Sequence, residues 1–230
     1  MPTSTGEPGT GDTGTTTTGL TNGTTATSAT GECGPQCCGD GVLDPGEACD
    51  EGASAENFCT ASCERVAYRV FVTSEAAVLG EGLAGADDTC QSVAQSAGLP
   101  GSYRAWLSST RVGAATRITH DKVRPILRVD LEAVVPSADA LAFVALLAPI
   151  RVTESGALID VNLKCGEGLV WTGTDPQGQL GLSNCEDWTL TKDGAGQAGD
   201  PKATNEEWTD AGCQVACEGA LRLYCFEVDL

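Results

Sequence analysis

The twelve cysteines of this 230-residue chain constrain its fold more than any other feature, because they fall into two sets of six. The first set is crowded into one short stretch: Cys33, Cys37, Cys38, Cys49, Cys59 and Cys63. The second set is spread through the rest of the chain: Cys90, Cys165, Cys185, Cys213, Cys217 and Cys225. An even number in each set indicates two closed disulfide frameworks. Because disulfides persist in oxidising surroundings, we expect the protein to be extracellular or on the cell surface.

The first 31 residues consist almost entirely of Thr, Gly, Ser and Ala. Such a stretch cannot bury enough apolar surface to offset its ordering entropy, so residues 1–31 are predicted to be a disordered tether. No export signal is visible after Met1, which conflicts with the disulfide argument. We expect a signal that was removed or lies upstream, and a lipid anchor outside this sequence as the only contact with a membrane.

Acidic residues dominate the chain, whose net charge is −19, and they are concentrated in residues 32–64. This segment holds eight acids and neither Lys nor Arg. Phosphate groups are bound by Lys and Arg, so the charge argues against nucleic acid as a partner. It is compatible with divalent cations.

Residues 32–64 are too few and too polar to build a hydrophobic core, so cross-links or metal must hold them together. Asp40, Asp44, Glu47 and Asp50 recur every three or four residues among glycines and a proline, which favour tight turns. Oxygen ligands at this density suit Ca²⁺. The alternative is a disulfide knot whose acids are only solvated.

The segment CGDGVLDPGEACDEG (38–52) resembles a cysteine-rich repeat of bacterial surface proteins and the calcium-binding start of disintegrin domains. The resemblance implies structural Ca²⁺ held by Asp40, Asp44, Glu47 and Asp50. Asp40 and Asp44 stand where the disintegrin pattern has Asn and Glu.

From residue 65 onwards the sequence predicts an α+β domain. Strands are indicated by alternating apolar residues or β-rich composition at 68–74, 103–109, 169–174 and 222–228. A helix is predicted over 85–98, with Asp87 and Asp88 at its start and Gly98 at its end. A second helix is predicted over 136–149. Its apolar run is too short to span a membrane, so we expect the helix to be buried in the domain.

Several motifs resemble the endostatin domain and its bacterial surface-protein relatives, which have a C-type lectin-like fold: GLAGADDTCQ (82–91), VWTGTDPQGQ (170–179), NCEDW (184–188) and LYCFE (223–227). The resemblance implies this fold for the domain over 65–230. It also implies the disulfides Cys90–Cys225 and Cys185–Cys217, which leaves Cys165 and Cys213 to pair with each other.

Arginines are concentrated in residues 104–128, against the overall charge: Arg104, Arg111, Arg117, Arg124 and Arg128. In endostatin the corresponding region forms an arginine surface for sulfated glycans, and the planar guanidinium suits such oxyanions. The alternative is that these side chains pair with the acids of their own domain.

Catalysis is not expected, because His120 is the only histidine and all cysteines are expected to be paired. Glu186 and Asp187 belong to a motif interpreted as scaffold, and Trp106, Trp171 and Trp188 are predicted to be core. We therefore predict a binding or adhesion protein that contacts glycans or other surface and matrix components. The alternative is a structural envelope protein without its own ligand site.

Overall fold

The structure, a computed structural model, describes Thr60 and residues 64–118, 123–142, 145–160 and 168–229. The predicted tether, almost all of the cysteine-rich segment and His120 lie outside the described residues. The chain divides into two units, Met1–Gly31 and Glu32–Leu230, and all the described residues belong to the second.

Eight strands of the described residues form one mixed sheet. They are β1 (Tyr68–Val72), β2 (Ser102–Ala105), β3 (Ile126–Arg128), β4 (Ala133–Val135), β5 (Val170–Trp171), β6 (Ala195–Gly199), β7 (Cys213–Ala216) and β8 (Arg222–Asp229). The strand order is β4-β3-β1-β8-β5-β6-β7, and β2 also pairs with β8. The β1–β3 and β5–β8 pairs are parallel and the others are antiparallel.

Helical structure in the described residues is limited. It consists of α1 (Gly82–Ser96), α2 (Ala114–Arg117), α3 (Cys185–Trp188) and two 3-10 helices, Ala138–Ala142 and Glu206–Trp208. None of these helices has the length and apolar character needed to cross a membrane. A mixed sheet with few helices confirms the α+β class.

The predicted first helix is present, but it begins three residues earlier than expected. Gly98 has φ +73° just beyond the C-terminal end of α1, the left-handed conformation for which glycine is suited. Asp87 and Asp88 lie beyond the first turn, because the helix starts at Gly82. Their predicted interaction with the helix dipole is therefore wrong.

The predicted second helix is also wrong beyond its first turn. Of the residues described in this range, 136–142 and 145–149, Ala138–Ala142 form a 3-10 helix and the others are not helical. The amide of Leu146 donates to the carbonyl of Thr204, and the amide of Leu147 donates to that of Val134. These bonds to distant segments replace the bonds of a helix.

The central strands β1 and β8 are buried on both faces. Val70 and Phe226 lie in one apolar cluster with Trp106 and Trp208. Phe71 and Cys225, the next residues along the two strands, lie on the opposite face, where a second cluster includes residues of α1. The sheet thus separates two apolar layers, and the predicted core positions of Trp106, Trp171 and Trp188 are confirmed.

Two disulfides join described residues. Cys90 of α1 is bonded to Cys225 of β8, with their Cα atoms 5.4 Å apart, and Cys185 is bonded to Cys217. These are the two pairs that the resemblance implied. Cys213 is also disulfide-bonded, and its expected partner Cys165 lies outside the described residues.

Candidate functional site

Two loops leave the sheet at the same place because β2 and β5 lie end to end beside β8. β2 pairs with the second half of β8 and runs antiparallel to it, whereas β5 pairs with the first half and runs parallel to it. The segments that follow these strands therefore meet: the first loop, 106–113 after β2, and the second loop, 172–194 after β5. The amide of Ser108 donates to the carbonyl of Thr172 (3.2 Å).

Buried hydroxyl groups hold the two loops together. The hydroxyls of Ser108 and Thr174 are hydrogen-bonded at 2.9 Å, and the Ser108 hydroxyl also accepts from the amide of Ala114. The Thr172 hydroxyl donates to the carbonyl of Thr209 at 2.6 Å. Because buried polar groups are stable only when they are paired, this network fixes the path of both loops.

The second loop contains a turn with an unusual backbone. All four residues of α3 have positive φ: Cys185 (51°), Glu186 (49°), Asp187 (57°) and Trp188 (68°). A left-handed helical backbone costs roughly 1–2 kcal/mol per residue for side chains with a Cβ. Such a turn persists only when the surrounding contacts determine it, and strained backbone of this kind clusters at functional sites.

Asp187 attaches the left-handed turn to the loop after β2. One carboxylate oxygen accepts from the amide of Thr110 at 2.6 Å, and the other accepts from the Thr110 hydroxyl at 2.5 Å. Asn184 adds a bond from its side-chain amide at 2.7 Å and caps the Asp187 amide. The two loops thus form one unit.

Trp188 and Cys185 fix the left-handed turn to the rest of the domain. The indole of Trp188 is fully buried, and its Nε1 donates to the carbonyl of Ser108 at 2.9 Å. A side chain at Gly173 would lie 2.5 Å from this ring, so only glycine fits there. The disulfide to Cys217 fixes the other end of the turn.

The carboxyl group of Asp187 has a pKa below its ordinary value of 3.8. Burial raises the pKa, but the bonds from Thr110 and Asn184 and the charge of Arg111 together outweigh this effect. Because the pKa is lower in the folded than in the unfolded state, the stabilisation is present above about pH 4 and is lost as the pH falls further.

Replacing Asp187 by alanine is expected to lower the free energy of unfolding at pH 7 by about 1–2 kcal/mol, since Asp187 is half-buried and accepts several bonds. Urea unfolding at pH 7 and at pH 2.5 measures this difference. The loss should shrink at low pH, as the wild-type carboxylate takes up a proton. T110V, which removes only the hydroxyl, should cost less, and a D187A loss that is equal at both pH values would contradict the role assigned to the carboxylate.

We use the term loop face for three exposed residues on these joined loops: Arg111, Leu182 and Glu186. Leu182 has 84% of its surface exposed although its amide is fixed by the side chain of Gln197. These three exposed residues supply a guanidinium, a carboxylate and an apolar side chain on the joined loops. Such groups suit the recognition of a ligand.

The five arginines predicted as an anion-binding set do not form one surface. Arg117 is buried, forms an ion pair with Asp87 and donates to two carbonyls of the β2 region. Arg128 is buried and pairs with Asp130 and Glu132. Both arginines are thus paired with acids of the same domain, as the alternative has it, and anion binding by the set stays a prediction.

The other three predicted arginines are accessible to different degrees. Arg104 and Arg111 are exposed, and Arg124 is half-buried, with a bond from its Nη1 to the carbonyl of Arg65. Among these, only Arg111 lies beside the left-handed turn.

The predicted calcium ligands Asp40, Asp44, Glu47 and Asp50 lie outside the described residues, as do the six cysteines of the first set. Calcium at that segment stays a prediction. Within the part of the chain that the structure describes, no group of three or more His, Cys, Asp and Glu side chains could hold a metal ion.

Comparison with known proteins does not identify this chain: no protein-family model matches it, and no curated protein matches it significantly.

Sequence reasoning missed the bond between Asp187 and Thr110, which are separated by 76 intervening residues. The only local signal was Asn184, three residues before Asp187, a spacing that is typical of a capping side chain.

Proposed function

We propose that this protein is a binding protein displayed outside the cell, with a C-type lectin-like domain that contacts its ligand through the loop face. The observation that supports it best is the strained turn Cys185–Trp188, which a disulfide, a buried indole and a carboxylate all hold in place. So many contacts on one surface turn are expected where the geometry of exposed groups matters for binding.

The lectin-like assignment is supported by the resemblance described above and by two features of the fold. A disulfide ties the first helix to the last strand, and a second disulfide lies in the loop region. In the sheet, β1 and β8, which are the first and last strands in sequence order, pair with each other. These features agree with what the endostatin-like motifs imply.

The chemistry of the loop face favours ligands with both polar and apolar parts, such as glycans of the cell surface or matrix. Arg111 can form two parallel bonds with a sulfate or carboxylate group, and Glu186 can accept from sugar hydroxyls. Leu182 can pack on the apolar face of a sugar ring. No nucleophile with an adjacent base is among these groups, so we propose a binding protein and not an enzyme.

A glycan array probed with and without Ca²⁺ tests the proposal. We expect R111Q and E186Q to weaken binding by about tenfold each, which corresponds to about 1.4 kcal/mol. K202Q is the control, because Lys202 is an exposed base beside Asp160 and outside the loop face. Thermal melting verifies that each variant is folded.

Two results would contradict this assignment. Equal binding by the wild type, R111Q and E186Q would place the ligand elsewhere on the protein. Absence of binding to sulfated, acidic and neutral glycans and to matrix proteins would favour the alternative, a structural envelope protein.

A further inference from the structure

Gln197 is a buried polar residue at the centre of β6, and its side chain is directed to the second loop. Only 2% of its surface is exposed. Its Oε1 accepts from the amide of Leu182 at 2.8 Å, and its Nε2 donates to the carbonyl of Thr174 at 3.0 Å. One side chain therefore bridges the two ends of the turn 174–182.

The backbone of Gln197 is bonded to the same loop. Its amide donates to the carbonyl of Ser183 at 2.9 Å, and its carbonyl accepts from the amides of Thr172 and Gly173, both at 3.1 Å. Gln197 thus contacts the loop where it leaves β5 and again where it returns from the turn. Both ends of the turn 174–182 are bonded to one residue of β6.

The loop passes close to the Gln197 side chain because residue 181 is glycine. A Cβ atom at Gly181 would lie 2.1 Å from Oε1 of Gln197. Leu180 and Leu182, on either side of this glycine, have 39% and 84% of their surfaces exposed. The contact with β6 is made here by the backbone of the loop, which leaves both leucine side chains accessible.

An amide side chain is what the two partners of Gln197 require. The Leu182 amide needs an acceptor and the Thr174 carbonyl needs a donor, and glutamine supplies both without a charge. Methionine has a similar length and replaces neither bond. Because a buried polar group without a partner is costly, these bonds hold the turn in the observed position.

We propose that Gln197 is a positioning residue of the loop face: it touches no ligand and places the side chain of Leu182 where a ligand packs on it. The inference rests on the proposed function, in which Leu182 packs on the apolar face of a sugar ring. It adds that this contact is set from inside the sheet, since Leu182 is held through its backbone amide. A change at the buried Gln197 therefore alters binding at an exposed residue.

Amide hydrogen exchange tests the positioning without a ligand. In Q197M the Leu182 amide loses its acceptor, and we expect it to exchange roughly tenfold faster, the upper end of what one net hydrogen bond gives. Q214M is the matched control, because Gln214 is the exposed cross-strand neighbour of Gln197 in β7. We expect Q214M to leave exchange at Leu182 unchanged. Equal exchange at Leu182 in the wild type and Q197M would overturn the proposal.

A double-mutant cycle on the glycan array tests whether Gln197 acts through Leu182. We expect Q197M and L182A each to weaken binding about tenfold, and the double variant to be no weaker than L182A, since both changes remove the same contact. R111Q is the reference, because its loss should multiply with that of Q197M. Full multiplication of the losses of Q197M and L182A would show that Gln197 acts elsewhere.

G181A is a second variant, which retains Gln197. Its added methyl group displaces Oε1, so we expect faster exchange at Leu182 and weaker glycan binding, as in Q197M. Unchanged exchange and binding in a folded G181A would refute the role of Gln197. If the wild type binds no glycan, the proposed function fails and the binding role of Gln197 fails with it. Unchanged Leu182 exchange in Q197M together with intact glycan binding overturns this inference alone.

Discussion

Replacing Cys90 and Cys225 together by alanine lowers the free energy of unfolding by about 5 kcal/mol in the chain-entropy account of disulfides. The two residues are separated by 135 positions, so the disulfide closes a large loop in the unfolded chain. Both are completely buried and join α1 to the central strand β8. Urea unfolding without reductant measures the loss. The slope of the transition should also increase, because the unfolded state becomes more expanded.

The matched control is removal of Cys185 and Cys217, whose separation is 32 residues. The same account gives about 4 kcal/mol for this shorter loop. Relaxation of the left-handed turn in the variant should reduce the loss further. A larger loss for C185A/C217A than for C90A/C225A would show that native packing around the turn outweighs loop length.

Replacing Arg117 by methionine is expected to cost about 3 kcal/mol, the lower end of the range for removing one partner of a buried ion pair, because the Asp87 side chain is 25% exposed. Arg117 donates to the carbonyls of Ala105 (2.8 Å) and Leu107 (3.0 Å) and to both carboxylate oxygens of Asp87. Methionine retains most of the aliphatic volume but makes none of these bonds. Calorimetric melting or urea unfolding at pH 7 provides the measurement.

K202M is the control for Arg117. The Lys202–Asp160 pair is exposed and separated by 3.5 Å, so its loss should change stability by less than about 1 kcal/mol. If R117M were as stable as K202M, water would have to reach the two carbonyls, and the Arg117 bonds would have little effect on stability.

Elements whose signal is local were predicted well. The helical spacing of small and apolar residues around Cys90, followed by Gly98, indicated α1 to within a few residues. The alternating apolar residues at 68–74 indicated β1, and the run 222–228 was interpreted as the late strand that is β8. In each case the residues that determine the structure are neighbours in the sequence.

Elements that depend on distant partners were not predicted. The apolar run 140–150 has helical composition, but the amides of Leu146 and Leu147 bond to carbonyls of other segments. Arg117 was interpreted as part of a surface because its neighbours are basic. In the structure Arg117 is buried and forms an ion pair with Asp87, 30 positions earlier.

The candidate site follows the same division. The sequence identified Cys185 and Trp188 as parts of a motif, and the implied disulfides Cys90–Cys225 and Cys185–Cys217 are present in the structure. It did not indicate that Asp187 bonds to Thr110, which joins the two loops into one face.

The sequence by itself determined the two sets of six cysteines, the concentration of acid before residue 65 and the α+β class, because composition and short-range periodicity carry this information. Only the tertiary structure decided which charges are buried, which loops meet and where the backbone is left-handed. These depend on β2 and β5 meeting end to end beside β8. The free energy of a buried charge or a strained turn comes from groups that are distant in sequence and become neighbours only when the sheet is assembled.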